Sequence, residues 1–192
     1  MQPNIWFQKY YRIRKKVLAI ANKYWIEDSR GNTLGFTKQK LLRIKEKILI
    51  YSDENMRDEL FRIQQEQIMD VWGTFAVIDS VSNVCIGKLK RKLSSSIAAD
   101  EYLILDQNGQ QIGRIAEASG RGIARKYVPG GSLIPEHVAV EFYGQQVAEI
   151  KQKFKIIGDI WEVDCSRLPP SFDRRTLLAC MLIMGMVERS RK

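Results

Sequence analysis

A strand–turn–strand unit repeats five times along this chain of 192 residues, and the repeat constrains the fold more than any other feature. Each copy opens on alternating apolar residues, crosses a turn, and ends on a second alternating stretch. The copies start at Tyr24, Ile48, Phe75, Tyr102 and Val138. Because a period of two is typical of antiparallel strands that bury one face, the sequence predicts five β-hairpins.

Turn chemistry supports the hairpins, since residues 28–32 and 106–109 are rich in Asp, Asn and Gly, which tolerate positive φ. Two more strands are predicted outside the hairpins, at 10–22 and 160–165. Twelve strands in so short a chain would leave exposed edges unless the sheet closed on itself. We therefore expect a closed antiparallel β-barrel of about 12 strands.

The segment after the last predicted strand, residues 176–187, contains no charged residue. Ser171 or Asp173 can cap a helix here. A helix that is apolar all round must be buried on every side, and this run is shorter than the roughly 20 residues that span a membrane. We expect a mainly β fold in one domain over 1–192, with strands over about 10–165 enclosing a helix over about 173–189.

Polar residues interrupt the predicted inner face of the hairpins at one recurring position. These residues follow the aligned apolar positions by two and are Gln39, Gln65, Arg91, Glu117 and Gln152. One interpretation is a polar pocket for a small ligand. The interpretation that we favour is a β-bulge that flips the local register and places these residues outside.

Lysine and arginine outnumber aspartate and glutamate by 31 to 22, which gives a net charge of +9 and favours anionic partners. Basic residues that we expect on outward faces are the candidate lipid- or anion-binding residues: Arg12, Arg14, Lys15, Lys16, Lys38, Lys40, Lys90, Lys92, Lys151, Lys153 and Lys155. Aligned on neighbouring strands, they would form a positive stripe that meets lipid phosphates. The alternative is that they are solvated lysines that protect strands from edge pairing.

The one long irregular stretch, residues 119–136, adds Arg121, Arg125 and Lys126 as loop candidates. Long loops in compact domains are often functional, although this one also suits a flap over a barrel edge. Among the tryptophans, Trp6 is a candidate membrane anchor or part of a strand packed over the barrel mouth, whereas Trp25 and Trp161 fit core positions.

Twelve strands around a hydrophobic C-terminal helix resemble the tubby-like barrel of tubby C-terminal domains, phospholipid scramblases and plant LURP-one-related proteins. Residues 11–16 and 24–35, with hairpins that end on Lys-Gln-Lys or Lys-Arg-Lys, are most similar to the LURP-one-related and scramblase-like branch. The resemblance covers residues 5–187 and implies phosphoinositide binding and reversible membrane attachment, as in tubby domains. The LURP-one-related proteins have no well-defined biochemical activity.

Catalytic motifs find no support, because His137 is the single histidine and neither Gly-x-Ser-x-Gly nor a phosphate-loop motif is present. Cys85, Cys165 and Cys180 form no Cys-x-x-Cys pair, so we expect free thiols, no metal, no cofactor and a reducing, cytoplasmic location. Residues 28–32 superficially resemble a calcium loop, but Arg30 stands where an oxygen ligand is needed.

The sequence therefore predicts a non-enzymatic cytoplasmic protein, peripheral on the membrane, that binds anionic lipids of the phosphoinositide type. The alternatives are a protein–protein interaction module whose basic face meets an acidic protein, and lipid movement of the scramblase type. Nucleic acid is disfavoured as a partner, since we find no recognition helix and no exposed aromatic platform. No transmembrane span is expected.

Overall fold

The computed structural model describes residues 5–18, 21–40, 47–66, 73–92, 101–117, 137–155 and 158–187. The strands are β1 (Tyr10–Val17), β2 (Ala21–Glu27), β3 (Thr33–Lys40), β4 (Lys47–Tyr51), β5 (Glu59–Gln65), β6 (Thr74–Asp79), β7 (Cys85–Lys92), β8 (Glu101–Leu105), β9 (Gln111–Glu117), β10 (His137–Phe142), β11 (Gln145–Lys155) and β12 (Gly158–Asp164). Each pairs antiparallel with its neighbours in the chain, and β12 pairs with β1. The predicted closed twelve-strand barrel is confirmed.

The first strand is shorter than the sequence pattern predicts. We expected one strand over 10–22, but β1 ends at Val17 and β2 begins at Ala21. The amide of Leu18 donates to the carbonyl of Ala21 at 3.1 Å. The chain reverses between the two strands, because residues 22–27 of β2 pair antiparallel with β1.

Helix α1 (Arg174–Val187) is the hydrophobic segment near the C-terminus, and the barrel encloses it. Residues 177–183 are at most 1% exposed, as a helix without a polar stripe requires. Of the two predicted caps, Asp173 performs the role, because its Oδ1 accepts the amide of Arg175 at 2.9 Å. A short 3-10 helix, Ile5–Phe7, precedes β1, and the hydroxyl of Tyr11 donates to the carbonyl of Ile5 at 3.0 Å.

A β-bulge recurs in all five hairpins, close to the turn. In each, one aliphatic residue of the second strand has no residue opposite it; these residues are Leu34, Leu60, Ile86, Ile112 and Val147. A bulge bends a strand and increases its twist, which helps a sheet to close into a barrel. After the third bulge comes Gly87, where a Cβ atom would lie 2.7 Å from Oγ1 of Thr176. The absence of a side chain at Gly87 therefore lets the start of α1 approach β7.

The favoured interpretation of the inner polar positions as flipped outward by a bulge is wrong. The strand register passes through Gln39, Gln65, Arg91 and Gln152 without a shift, because the bulges lie nearer the turns. Gln152 is 2% exposed, and Gln39 accepts a hydrogen bond at 3.3 Å from Tyr24, which is itself buried. The side chain of Glu117 lies outside the described set. A polar layer therefore lines the barrel end that receives the C-terminus of α1.

Candidate anion-binding surface

Three lysines face one another across the outer surface of β1, β2 and β3. Lys16 lies opposite Lys23, and Lys23 lies opposite Lys38. Side chains in directly opposed positions have Cβ atoms about 4.5–5.5 Å apart, where like charges repel. Lys23 is paired with Glu54 at 2.7 Å, whereas Lys16 and Lys38 are exposed and make no ion pair among the described residues. We call these three residues the lysine ladder.

The predicted basic strands do not form one continuous stripe. In the barrel, β11, β12, β1, β2 and β3 are consecutive neighbours, so the basic residues of β1, β3 and β11 share one side. Strand β7, which carries Lys90 and Lys92, lies six strands from β1 in either direction. Since six of twelve is half the circumference, these two lysines point away from the ladder.

Several predicted basic residues are neutralised by carboxylates on the same strand or on an adjacent one. Arg12 and Arg14 both contact Glu27, at 2.6 and 2.8 Å, and the side chain of Glu27 is only 4% exposed. Other pairs join predicted lysines to neighbouring glutamates: Lys151 to Glu149 at 3.1 Å, Lys153 to Glu162 at 2.6 Å and Lys92 to Glu101 at 3.5 Å. The exposed lysine–glutamate pairs each stabilise the fold by at most about 1 kcal/mol, so their main effect is to lower the local positive charge.

Lys15 does not belong to an outward surface, and its assignment as a lipid-binding residue is corrected. Its side chain is 2% exposed and points into the barrel, where Nζ donates to the carbonyl of Gly185 at 2.6 Å. Alternation along β1 places Arg14 and Lys16 outside and Lys15 inside. A headgroup on the outer surface therefore cannot reach Lys15.

Other predicted residues fall outside what the structure describes. The loop candidates Arg121, Arg125 and Lys126 lie outside the described residues. Lys40 and Lys155 belong to β3 and β11, but their side chains are outside the described set.

Lys23 is the member of the ladder that sequence reasoning missed. The predicted lysines lie mostly in the Lys-x-Lys endings of the hairpins' second strands, whereas Lys23 lies near the start of β2, the first strand of its hairpin. A sequence signal existed, because Lys23 and Lys38 are almost equally spaced about the turn at 28–32. Counting residues outward from that turn would have paired them.

Two large aromatic side chains lie beside the ladder on the outside of the barrel. Trp25 was predicted in the core, but it lies on the outer face with Phe36, their ring centroids 5.5 Å apart. The guanidinium carbon of Arg14 lies 3.9 Å from the Trp25 ring centroid, a cation–π contact. Trp161 is in the core as expected, and Trp6 packs edge-on against the buried Phe61.

Glu54 connects the aromatic pair to the ladder. Its carboxylate accepts from Nε1 of Trp25 at 3.0 Å and from Nζ of Lys23 at 2.7 Å. The hydrogen bond from Lys23 lowers the pKa of Glu54 below its ordinary 4.5; partial burial opposes this shift and the Trp25 contact assists it. A carboxylate thus occupies a site built from one indole N–H and one ammonium group.

The structure places the calcium-loop-like turn and the single histidine that the sequence analysis considered. The carboxylate of Asp28 accepts the backbone amides of Arg30 and Asn32 at 2.8 Å, the geometry of a turn. His137 begins β10, with Nδ1 3.3 Å from a carboxylate oxygen of Glu149. In the part of the chain that is described, no helix is both long enough and apolar enough to cross a membrane.

The fold defines a class of proteins, the closed twelve-stranded antiparallel barrels around a C-terminal helix. The chain is similar to the X-ray structure of an Arabidopsis thaliana protein, AT5G01750, with a TM-score of 0.54 and 11% sequence identity. The match covers 95% of this chain and 94% of the other. At this identity the likeness shows the fold alone. No protein-family model matches the sequence, and no curated protein matches it.

Proposed function

We propose that this chain is a non-enzymatic protein that binds anionic membrane surfaces, of the phosphoinositide type, through the outer face of β1, β2 and β3. The observation that carries the proposal is the lysine ladder, in which Lys16, Lys23 and Lys38 occupy directly opposed positions. Like charges placed opposite one another cost stability, and an anion that bridges them removes that cost.

The proposal includes a place in the tubby-like barrel superfamily, near its LURP-one-related branch, and a peripheral location on the cytoplasmic side of a membrane. The barrel with its enclosed helix supports this placement, together with the residues at 11–16 and 24–35. Basic residues near an anionic membrane surface contribute about 1 kcal/mol each. Lys16 and Lys38, the two ladder lysines that make no ion pair among the described residues, therefore support weak and reversible recruitment.

The test is co-sedimentation with vesicles of phosphatidylcholine, with and without phosphatidylinositol bisphosphate, at low and high salt. We expect binding only to the anionic vesicles and a decline as salt rises, because the attraction is screened. The double variant Lys16→Gln/Lys38→Gln should lose roughly 30-fold in affinity.

The matched control is Lys90→Gln/Lys92→Gln, which removes the same charge from the opposite side of the barrel. We expect it to bind within about twofold of the parent. Equal losses in the two doubles would show that net charge, not the ladder, causes binding. A parent that binds neither vesicle at either salt would overturn the proposal and favour an acidic protein as the partner.

A further inference from the structure

The aromatic pair beside the ladder, Trp25 and Phe36, is unusually buried for residues on the outside of a barrel. Trp25 is 6% exposed and Phe36 is 1% exposed, although neither belongs to the hydrophobic cluster inside the barrel. Register places Phe36 between Trp25 on β2 and Tyr51 on β4. Part of the chain must therefore cover this outer aromatic surface.

The turn between β4 and β5, residues 52–58, bears one of the groups that contact Trp25, and the guanidinium of Arg14 over the ring is another. Within this turn, residues 53–58 are all exposed. The turn is closed by its own backbone, with the amide of Ser52 donating to the carbonyl of Asp58 at 2.9 Å. Glu54 joins it to the strands through the two hydrogen bonds to Trp25 and Lys23. The turn can thus keep its internal hydrogen bonds if the Glu54 carboxylate is displaced.

The groups that hold Glu54 are those that phosphate oxygens bind. An ammonium group and an indole N–H both donate, and charge-assisted hydrogen bonds to anions are the stronger kind. Lys16 and Lys38 flank Lys23 in register and are exposed, so an incoming phosphate gains two cations that Glu54 does not contact. A lipid phosphate therefore has more partners at this site than the carboxylate that occupies it.

We propose that Glu54 is an internal latch, displaced from Lys23 and Trp25 by the headgroup of an anionic lipid, and that its release lets the Trp25–Phe36 surface enter the membrane interface. The inference rests on the proposed function. It adds an apolar contribution to the charge attraction, because tryptophan is favoured at the level of the headgroups. The occupant of the released site is an anionic bilayer, since a free phosphate offers nothing for the aromatic pair to enter.

The first test compares Glu54→Gln with Asp53→Asn in the same vesicle assay. The two variants have the same net charge and change the same turn, but Asp53 bonds within the turn, to the amide of Asn55. We expect Glu54→Gln to bind anionic vesicles roughly three- to fivefold more tightly than the parent, since an exposed ion pair no longer opposes release. Asp53→Asn should match the parent.

The second test follows the indole N–H signals of the four tryptophans by 15N NMR, with Trp25 assigned from a Trp25→Phe variant. Glu54→Gln should shift the Trp25 signal in the free protein. When the parent binds bicelles containing phosphatidylinositol bisphosphate and a spin-labelled lipid, the Trp25 signal should broaden while that of Trp161 stays sharp.

The two proposals fail in different ways. If the parent binds anionic vesicles but Glu54→Gln and Asp53→Asn bind alike, or the Trp25 signal stays sharp, the latch is wrong and the lipid-binding surface stands. If neither the parent nor Glu54→Gln binds, the lipid-binding function is wrong and the latch with it.

Discussion

Nζ of Lys15 lies 2.6 Å from the carbonyl oxygen of Gly185, so a lysine of the first strand caps the C-terminal end of the enclosed helix. The last carbonyls of a helix have no partner within it, and they carry a partial negative charge. The hydroxyl oxygen of Tyr24 also lies 3.3 Å from this carbonyl oxygen. A buried cation is thus placed where the end of α1 accepts it.

Replacing Lys15 with methionine should destabilise the protein by about 1–3 kcal/mol, because the Gly185 carbonyl loses a charged donor in a buried setting. The control is Lys16→Met on the exposed face, which we expect to change stability by less than about 0.5 kcal/mol. The measurement is urea denaturation of both variants and the parent. A Lys15→Met variant as stable as the parent would show that the cap contributes nothing net.

The enclosed helix makes a stronger prediction at Leu182, which is 0% exposed. Leu182→Asp should leave the protein unfolded at room temperature, with no cooperative melting transition, because a lone charge inside the barrel costs several kcal/mol. Met184→Asp is the comparison: Met184 is only partly buried, so its variant should melt at a lower temperature than the parent yet still fold. Near-UV circular dichroism and thermal melts check both. A Leu182→Asp variant with the parent's melting temperature would contradict burial of α1.

Two adjacent arginines at the start of α1 should respond in opposite directions to the same substitution. Nε and Nη1 of Arg174 are buried and make no hydrogen bond among the described residues, whereas Arg175 binds Asp79 and Asp173. Arg174→Met should stabilise by up to about 1 kcal/mol, since it removes unpaired buried donors. Arg175→Met should destabilise by roughly 2–3 kcal/mol, since it leaves two carboxylates without their cation. Chemical denaturation gives both values, and losses of equal size would refute the distinction.

Acid should weaken the contact between the end of β6 and the start of α1. Burial alone raises the pKa of Asp79, but hydrogen bonds from Ser82 and Arg175 outweigh it and hold the pKa below the ordinary 3.8. Because the folded pKa is depressed, the stabilisation is complete well above pH 3.8 and is lost as the pH falls through the folded value. Asp79→Asn should therefore be less stable at pH 7 and lose less stability between pH 5 and pH 2. The measurement is urea denaturation of both proteins between pH 2 and pH 7. An equal fall in unfolding free energy for the variant and the parent at acid pH would contradict this prediction.

The lysine ladder shows that the local sequence pattern does not predict which surface residues are neighbours. Lys38 and Lys90 occupy equivalent places in their hairpins, and from the sequence they belong to one stripe. The closed order of strands separates them, because β3 is two strands from β1 whereas β7 is diametrically opposite. Which residues share a side of the barrel depends on how strands follow one another around it, and no single hairpin contains that information.

Lys15 shows the same limit for a single strand. The basic run Arg-x-Arg-Lys-Lys predicts side chains that are exposed to solvent, and strand propensity gives no reason to expect one of them to be buried. Alternation along β1 nevertheless points Lys15 inward, where Gly185 supplies an acceptor from the other end of the chain, 170 residues away in sequence. A polar residue is tolerated inside when a distant element satisfies it, so the burial of Lys15 could be recognised only once α1 was placed.

The hairpins, the need for closure and the burial of residues 176–187 could be predicted from the sequence, because a period of two and an unbroken apolar run are local properties of the chain. The tertiary contacts were needed to show which basic residues are neighbours, which polar residues point inward, and that Glu54 accepts a hydrogen bond from Trp25. Those features depend on contacts between residues far apart in sequence. These contacts depend on the register and the order of the strands, which are established only when the barrel closes.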